Sequence, residues 1–246
     1  PALAIAASVA PKSSARPVLQ DAALTFGPGG IDVQATDLET GVRLLVPAVV
    51  TDSARALVSA KRLLDVVRAI GGDEVKIEVG KEKIKIAGHG GKFALVLDGG
   101  EFPDLPPVEP AFTVDRAILV SAISRTTYAA SDEPTRYAIN GVRIETKGGR
   151  SIWVATNGKQ MAVVDRPVEA PDGLSLVVPV DGLDLLEKVA DSGDTVGVQA
   201  TQNDIRFQTN RGSVVTRLVD GEFPEWRNVL PTPSRRATTN REALIA

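Results

Sequence analysis

The block DGGEFPDLP (Asp98–Pro106) returns as VDGEFPEWRNVLP (Val219–Pro231), with the two phenylalanines, Phe102 and Phe223, 121 residues apart. Two further pairs keep the same period. QATDLETGVRLLV (Gln34–Val46) answers VATNGKQMAVVDR (Val154–Arg166), and GGDEVKIEV (Gly71–Val79) answers SGDTVGVQA (Ser192–Ala200). Three matches in order at one spacing indicate a duplicated domain. A chain of 246 residues made this way folds as two similar units, each long enough to bury a core. The Phe-Pro block is better read as punctuation than as a site: its Pro stops a strand and its Phe can dock on the core.

Hydrophobic periodicity resolves each unit further. In the second, a short strand near 112–115 precedes a helical pattern over 116–130. Alternating strands follow at about 138–146, 151–156 and 161–167. A strand at 174–178 then leads to a helix over 181–190 and strands near 195–200, 204–209 and 213–218, with Gly, Asn and Asp at the turns. The first unit repeats this order, with helices over 2–9 and 59–70, but lacks the opening strand. Hairpin-linked strands with too few helices to cover two sheet faces predict an α+β fold with antiparallel sheets. The tail ATTNREALIA (Ala237–Ala246) is similar to AFTVDRAILV (Ala111–Val120), so a third unit is expected to begin there and be cut off. The expected divisions are 1–107, 108–232 and 233–246.

Composition removes several function classes. There is no cysteine and one histidine, His89, in a Gly-rich turn; zinc sites and Ser-His-Asp triads are all but excluded. No cofactor, metal or catalytic residue is expected. No apolar run approaches the ~20 residues of a membrane helix, and PALAIAASVA lacks the basic flank of a signal peptide, so it reads as an amphipathic helix. Net charge is −3, yet its distribution is uneven. The helical segments 1–16, 54–70 and 112–130 together carry +6, leaving −9 on everything else. The helix over 181–190 departs from this, with Asp181, Asp184 and Glu187 against Lys188.

Taken together, RPVLQDAAL (Arg16–Leu24), ATDLETGV (Ala35–Val42), TRYAINGVRIET (Thr135–Thr146), VATNGKQMAV (Val154–Val163) and the second Phe-Pro block cover nearly the whole chain. In that order and spacing the chain resembles the bacterial sliding clamp, the beta subunit of DNA polymerase III. The resemblance implies two of three clamp domains, with helices lining a channel and sheets outside. It implies a non-catalytic processivity factor, cytoplasmic and nucleoid-associated. Its parent would close as a head-to-tail homodimer around duplex DNA and tether the replicative polymerase, the clamp loader and repair proteins through short peptides.

Carried over residue by residue, the resemblance makes Arg16, then Arg136 and Tyr137, DNA-contact candidates. Lys61, Arg62, Arg68 and Arg125 join them from helix position alone. The implied peptide pocket comprises Ile139, Thr156, Gly158, Lys159, Gln160, Met161, Pro224, Asn228 and Val229. Ile139, Met161, Pro224 and Val229 would form its apolar socket, Met adapting to varied ligands, and Gly158 would allow close backbone approach. Lys159 and Gln160 stand where the family commonly has His-Arg, and Asn228 where a basic residue is common. Two rival readings stay open on sequence alone. One is a metal-dependent nuclease or hydrolase using Asp98/Glu101 and Asp220/Glu222. The other is a generic interaction module of duplicated sheets.

Overall fold

The computed structural model describes residues 1–132, 138–190, 193–230, 235 and 237–245. The first unit runs α1 (Ala2–Val9), β1 (Asp21–Gly27), β2 (Gly30–Thr36), β3 (Thr40–Val46), β4 (Ala54–Ser59), α2 (Ala60–Ile70), β5 (Lys76–Val79), β6 (Lys83–Gly88) and β7 (Gly91–Val96). The second runs β8 (Phe112–Asp115), α3 (Arg116–Ser124), β9 (Gly141–Lys147), β10 (Arg150–Thr156), β11 (Met161–Pro167), β12 (Ser175–Pro179), α4 (Val180–Val189), β13 (Thr195–Ala200), β14 (Asp204–Thr209) and β15 (Gly212–Arg217). Every strand pairing is antiparallel. The strand order β4-β1-β2-β3 is matched by β12-β9-β10-β11, and β5-β6-β7 by β13-β14-β15, to which β8 adds its edge. The duplication read from the sequence is therefore a duplication of topology.

Local chemistry explains the helices. Ser59 caps α2 by accepting the Arg62 N–H at 3.5 Å, and Gly71 ends it in a left-handed conformation. Leu63 and Ile70 are buried on one side, while Lys61, Arg62, Asp65 and Arg68 are exposed on the other. The expected helix over 116–130 is shorter, because α3 stops at Ser124 and a 3-10 turn follows at Thr127–Ala129. Thr126 Oγ1 donates to the Ala122 and Ile123 carbonyls (2.7 and 3.3 Å) and Thr127 Oγ1 to the Ile123 carbonyl (3.2 Å). These hydroxyls accompany the break from the regular helical ladder. The strand expected from Ala138 begins instead at Gly141. The tail does form a short helix, α5 (Arg241–Ile245), capped by Asn240 as Asp115 caps α3. Residues 237–240 ahead of it form no strand.

The two units share one eight-stranded sheet, because β15 pairs with β3 from Thr40↔Thr216 to Leu44↔Gly212. Val42 and Val214 meet face to face in this seam and both are fully buried. α1 packs on β2 and β3, α4 on β15; α1 touches both α2 and α4, and α4 touches α3. The helices thus run in a row, α2-α1-α4-α3, and one apolar core continues through both units.

Gly212 makes the seam possible. Its φ is +149°, and an added Cβ would sit 1.9 Å from the Arg43 carbonyl oxygen across the pairing. Gly212→Ala should cost roughly 2–3 kcal/mol, since both the backbone conformation and the strand approach resist it. Urea unfolding checks this; an unchanged midpoint would mean that the seam contributes little to stability.

Candidate nucleic-acid interface and peptide pocket

α2 presents Lys61, Arg62 and Arg68 on its exposed side, interrupted only by Asp65. Arg16 is exposed just before the 3-10 turn Pro17–Gln20, its backbone N–H held by Ser14 Oγ at 3.1 Å. Arg125 is exposed at the C-terminal end of α3. Arg136 and Tyr137 lie outside the described residues. Arg116, counted among the helical cations, is tied down instead: its guanidinium donates to the Gly193 and Ala190 carbonyls at 3.0 and 3.2 Å. It neutralises the C-terminal end of α4 and is partly removed from solvent. On α4, burial first and then Asp181 push the Asp184 carboxyl upward, against the pull of Lys188. The helix row is therefore basic at α2 and acidic at α4.

The pocket candidates divide into a floor and a rim. Ile139 and Met161 belong to one apolar cluster with Val154, Phe223 and Trp226. Ile139 lies in the segment entering β9 and is buried, whereas Met161 opens β11 and is half-buried. Pro224 is half-buried beside Phe223; Asn228 and Val229 are exposed on the 3-10 turn Trp226–Val229.

That turn is anchored by an element the sequence reading did not single out. Glu145, on β9, accepts the Trp226 indole N–H at 3.3 Å and an Arg227 N–H at 2.7 Å, and meets Arg143 Nε at 2.6 Å. Burial opposes ionisation of Glu145, but the hydrogen bonds from Arg227 and Trp226 together with the charges of Arg143 and Arg227 outweigh it and hold the carboxyl below its usual range. Arg227 also lies over the Trp226 ring, 4.2 Å from its centroid. The only sequence signal for this network was the pattern of charge around Trp226, which specifies no partner.

The remaining rim residues form the β10–β11 turn. Thr156 Oγ1 donates to the Gln160 carbonyl at 2.7 Å and accepts the Gly158 N–H at 3.1 Å. Asn157 Oδ1 accepts the Lys159 and Gln160 N–H groups at 3.0 and 3.1 Å. The Gln160 side chain donates to the Tyr128 carbonyl at 3.2 Å, and Lys159 is exposed. A Cβ at Gly158 would meet no atom of the chain within 4 Å, so the fold itself asks of this position only its backbone conformation, φ +84°. The first unit builds the same turn from Thr36, Asp37 and Thr40, with Leu38 at φ 81° in the position of Gly158.

The paired carboxylates of the nuclease reading lie in the irregular segments that follow β7 and β15. Asp98 Oδ1 accepts the Gly100 N–H at 2.7 Å, and Glu101, Asp220 and Glu222 are exposed. Asp98 does have a charged neighbour in Asp21, buried at the start of β1. Asp21 Oδ2 has no hydrogen-bond partner among the described residues. Burial, with repulsion from Asp98 second, pushes its carboxyl from 3.8 up to about 6.

Comparison with known proteins covers both units. Residues 1–106 match the N-terminal domain of the DNA polymerase III beta subunit, and residues 113–225 its central domain. The chain is 29% identical over 239 residues to the beta sliding clamp of Pseudomonas aeruginosa, spanning 93% of this chain and 65% of that one. It is 30% identical over 222 residues to the beta sliding clamp of Escherichia coli K12, spanning 87% and 61%. The crystal structure of the Pseudomonas aeruginosa clamp bound to griselimycin superposes with a TM-score of 0.86 at 26% identity, over 94% of this chain and 65% of that one. The C. crescentus beta sliding clamp gives 0.86 at 25% identity, over 95% and 66%. The chain therefore spans slightly less than two thirds of the first two relatives' length.

Asp21 gives a pH signature separate from any ligand. A carboxyl with a raised folded-state pKa keeps its proton in the folded chain while the unfolded chain has lost it, so stability falls as pH rises from about 4 to about 6. Above that window the loss is complete, up to about 3 kcal/mol. Asp21→Asn should therefore be more stable than the parent at pH 7 and nearly equal to it at pH 4. Urea midpoints of both proteins at the two pH values test this; a variant less stable at pH 7 would refute it.

Proposed function

Because the chain belongs to the family of the DNA polymerase III beta subunit, we propose that it supplies two consecutive repeats of a processivity clamp. It acts without catalysis, in the cytoplasm, by holding duplex DNA against its helix row. Residues 1–107 and 108–232 would be the first two clamp domains and 233–246 the start of a third. The observation that carries this reading is the row α2-α1-α4-α3 with sheets behind it and the α2 cations exposed. Lys61, Arg62 and Arg68, with Arg16 and Arg125, would make screened phosphate contacts, few enough to permit sliding. Arg136 and Tyr137 are retained as candidates on the resemblance alone.

The inter-unit seam supports ring formation. β15 joins β3, and their counterparts in the repeat, β7 and β11, are both sheet edges in the described chain. Phe93 and Val96 on β7, and Val163 on β11, are exposed apolar residues there. A further repeat could pair with β11, and β7 could pair with the last repeat of a second subunit. Head-to-tail joints of this type close into rings when the rotation permits. In salt titrations of binding to random-sequence duplex, Lys61→Gln/Arg62→Gln should make the log–log slope shallower by about 1.8. An unchanged slope would remove α2 from the DNA face.

The second activity is partner capture by the Ile139–Met161–Pro224–Val229 socket, with Thr156, Gly158, Lys159, Gln160 and Asn228 around it. Clamp-binding peptides of the polymerase, clamp loader and repair proteins would insert an apolar anchor there. Met161→Ala removes much of one wall and should weaken a labelled Leu-Phe-ended peptide by roughly tenfold, or 1–2 kcal/mol. Fluorescence anisotropy measures it; equal affinity for parent and variant would place the peptide elsewhere.

A further inference from the structure

The sheet β5-β6-β7 has two unlike faces. Ile84 and Ile86 of β6 are fully buried, and α2 packs against β6 and β7. Alternation turns Lys83 and Lys85 the other way, and both are exposed. The register fills in that outer face: Lys85 is opposite Glu78 of β5 and Ala94 of β7, Lys83 is opposite Val96, and Ala87 lies between Lys76 and Lys92. Four lysines and one glutamate thus share one exposed face. Glu78 is held below its usual range by a hydrogen bond from Lys76 first, then by the charges of Lys76, Lys85 and Lys92. All three lysines are therefore electrostatically coupled at one carboxylate, and a net charge of +3 remains on the face.

Lysine on strand edges commonly prevents sheet-to-sheet aggregation, which accounts for Lys76 on the edge strand β5. It does not account for Lys83 and Lys85, which occupy the central strand. The face holds no aromatic or arginine side chain, and Val96 is its only large apolar residue. It therefore lacks the buried anchor a protein partner requires and the planar groups that stack bases. Point charges repeating every ~6.8 Å along β6 suit a polyphosphate chain contacted without base readout. We propose that this outer face of the first unit binds nucleic-acid backbone, duplex or single-stranded, at a site separate from the helix row.

The test isolates this face from the helix-row reading. In the Lys61→Gln/Arg62→Gln background, binding of labelled random-sequence duplex and of oligo(dT) is followed by anisotropy across a salt series. Adding Lys83→Gln/Lys85→Gln should make the remaining slope shallower by about 1.8 for duplex and about 1.4 for the single strand. A urea midpoint matching the background protein establishes that the fold is retained. The proposal is overturned if the slopes do not change. It is equally overturned if a labelled polyglutamate peptide, but neither nucleic acid, loses affinity on the added substitutions. Either result leaves the helix-row assignment standing, since that is read from the background variant alone.

Discussion

The architecture depends on the backbone pairing between β3 and β15. Through it, one sheet of eight strands crosses the boundary between the units, and the largest apolar core runs beneath both. The seam is reinforced on both flanks. Arg217 donates its backbone N–H to the Glu39 carbonyl at 2.8 Å, and Leu45 donates to the Arg211 carbonyl at 3.0 Å. Backbone pairing is directional, so it sets the register of one unit on the next and aligns α1 with α4. The helix row, and every proposed contact on it, follows from that alignment.

The two units solve the same local problems with different residues. The turn after β2 and the turn after β10 use the same hydroxyl and side-chain carbonyl acceptors, Thr36 and Asp37 in one, Thr156 and Asn157 in the other. Gly158 enters the left-handed region without cost, whereas Leu38 does so against its Cβ, at about 1 kcal/mol. The Phe-Pro block shows the same divergence. Phe102 packs with Ala23 and Leu57, while Phe223 joins Ile139, Val154 and Trp226. Duplication preserved the frame and left the side chains to specialise, as the Glu145–Trp226–Arg227 anchor of the second unit illustrates.

Charge is organised by surface, although the molecule is acidic overall. Cations stand on the exposed side of α2 and on the outer face of β5-β6-β7, while α4 of the second unit is acidic. A net count conceals this arrangement. So does a count by segment: Arg116 scored as a helical cation, yet it is spent on the Ala190 carbonyl that caps α4 and on the Gly193 carbonyl beyond it.

The sequence by itself determined the duplication, the order of strands and helices, and the alternation that buries Ile84 and Ile86 while exposing Lys83 and Lys85. These are local or periodic properties, written at spacings of two, three to four and about 120 residues. Helix ends were less legible, because Thr126 and Thr127 bond back to carbonyls only once the chain has coiled. The functional surfaces split the same way. Lys61, Arg62 and Arg68 follow from helical period, and Ile139 with Met161 from the resemblance of their motifs. The tertiary structure alone decided that β15 would meet β3, that Glu145 would hold Trp226, and that Asp21 would face Asp98. Each joins residues roughly 80 to 170 positions apart, where no local pattern specifies the partner and only the closed core brings the two together.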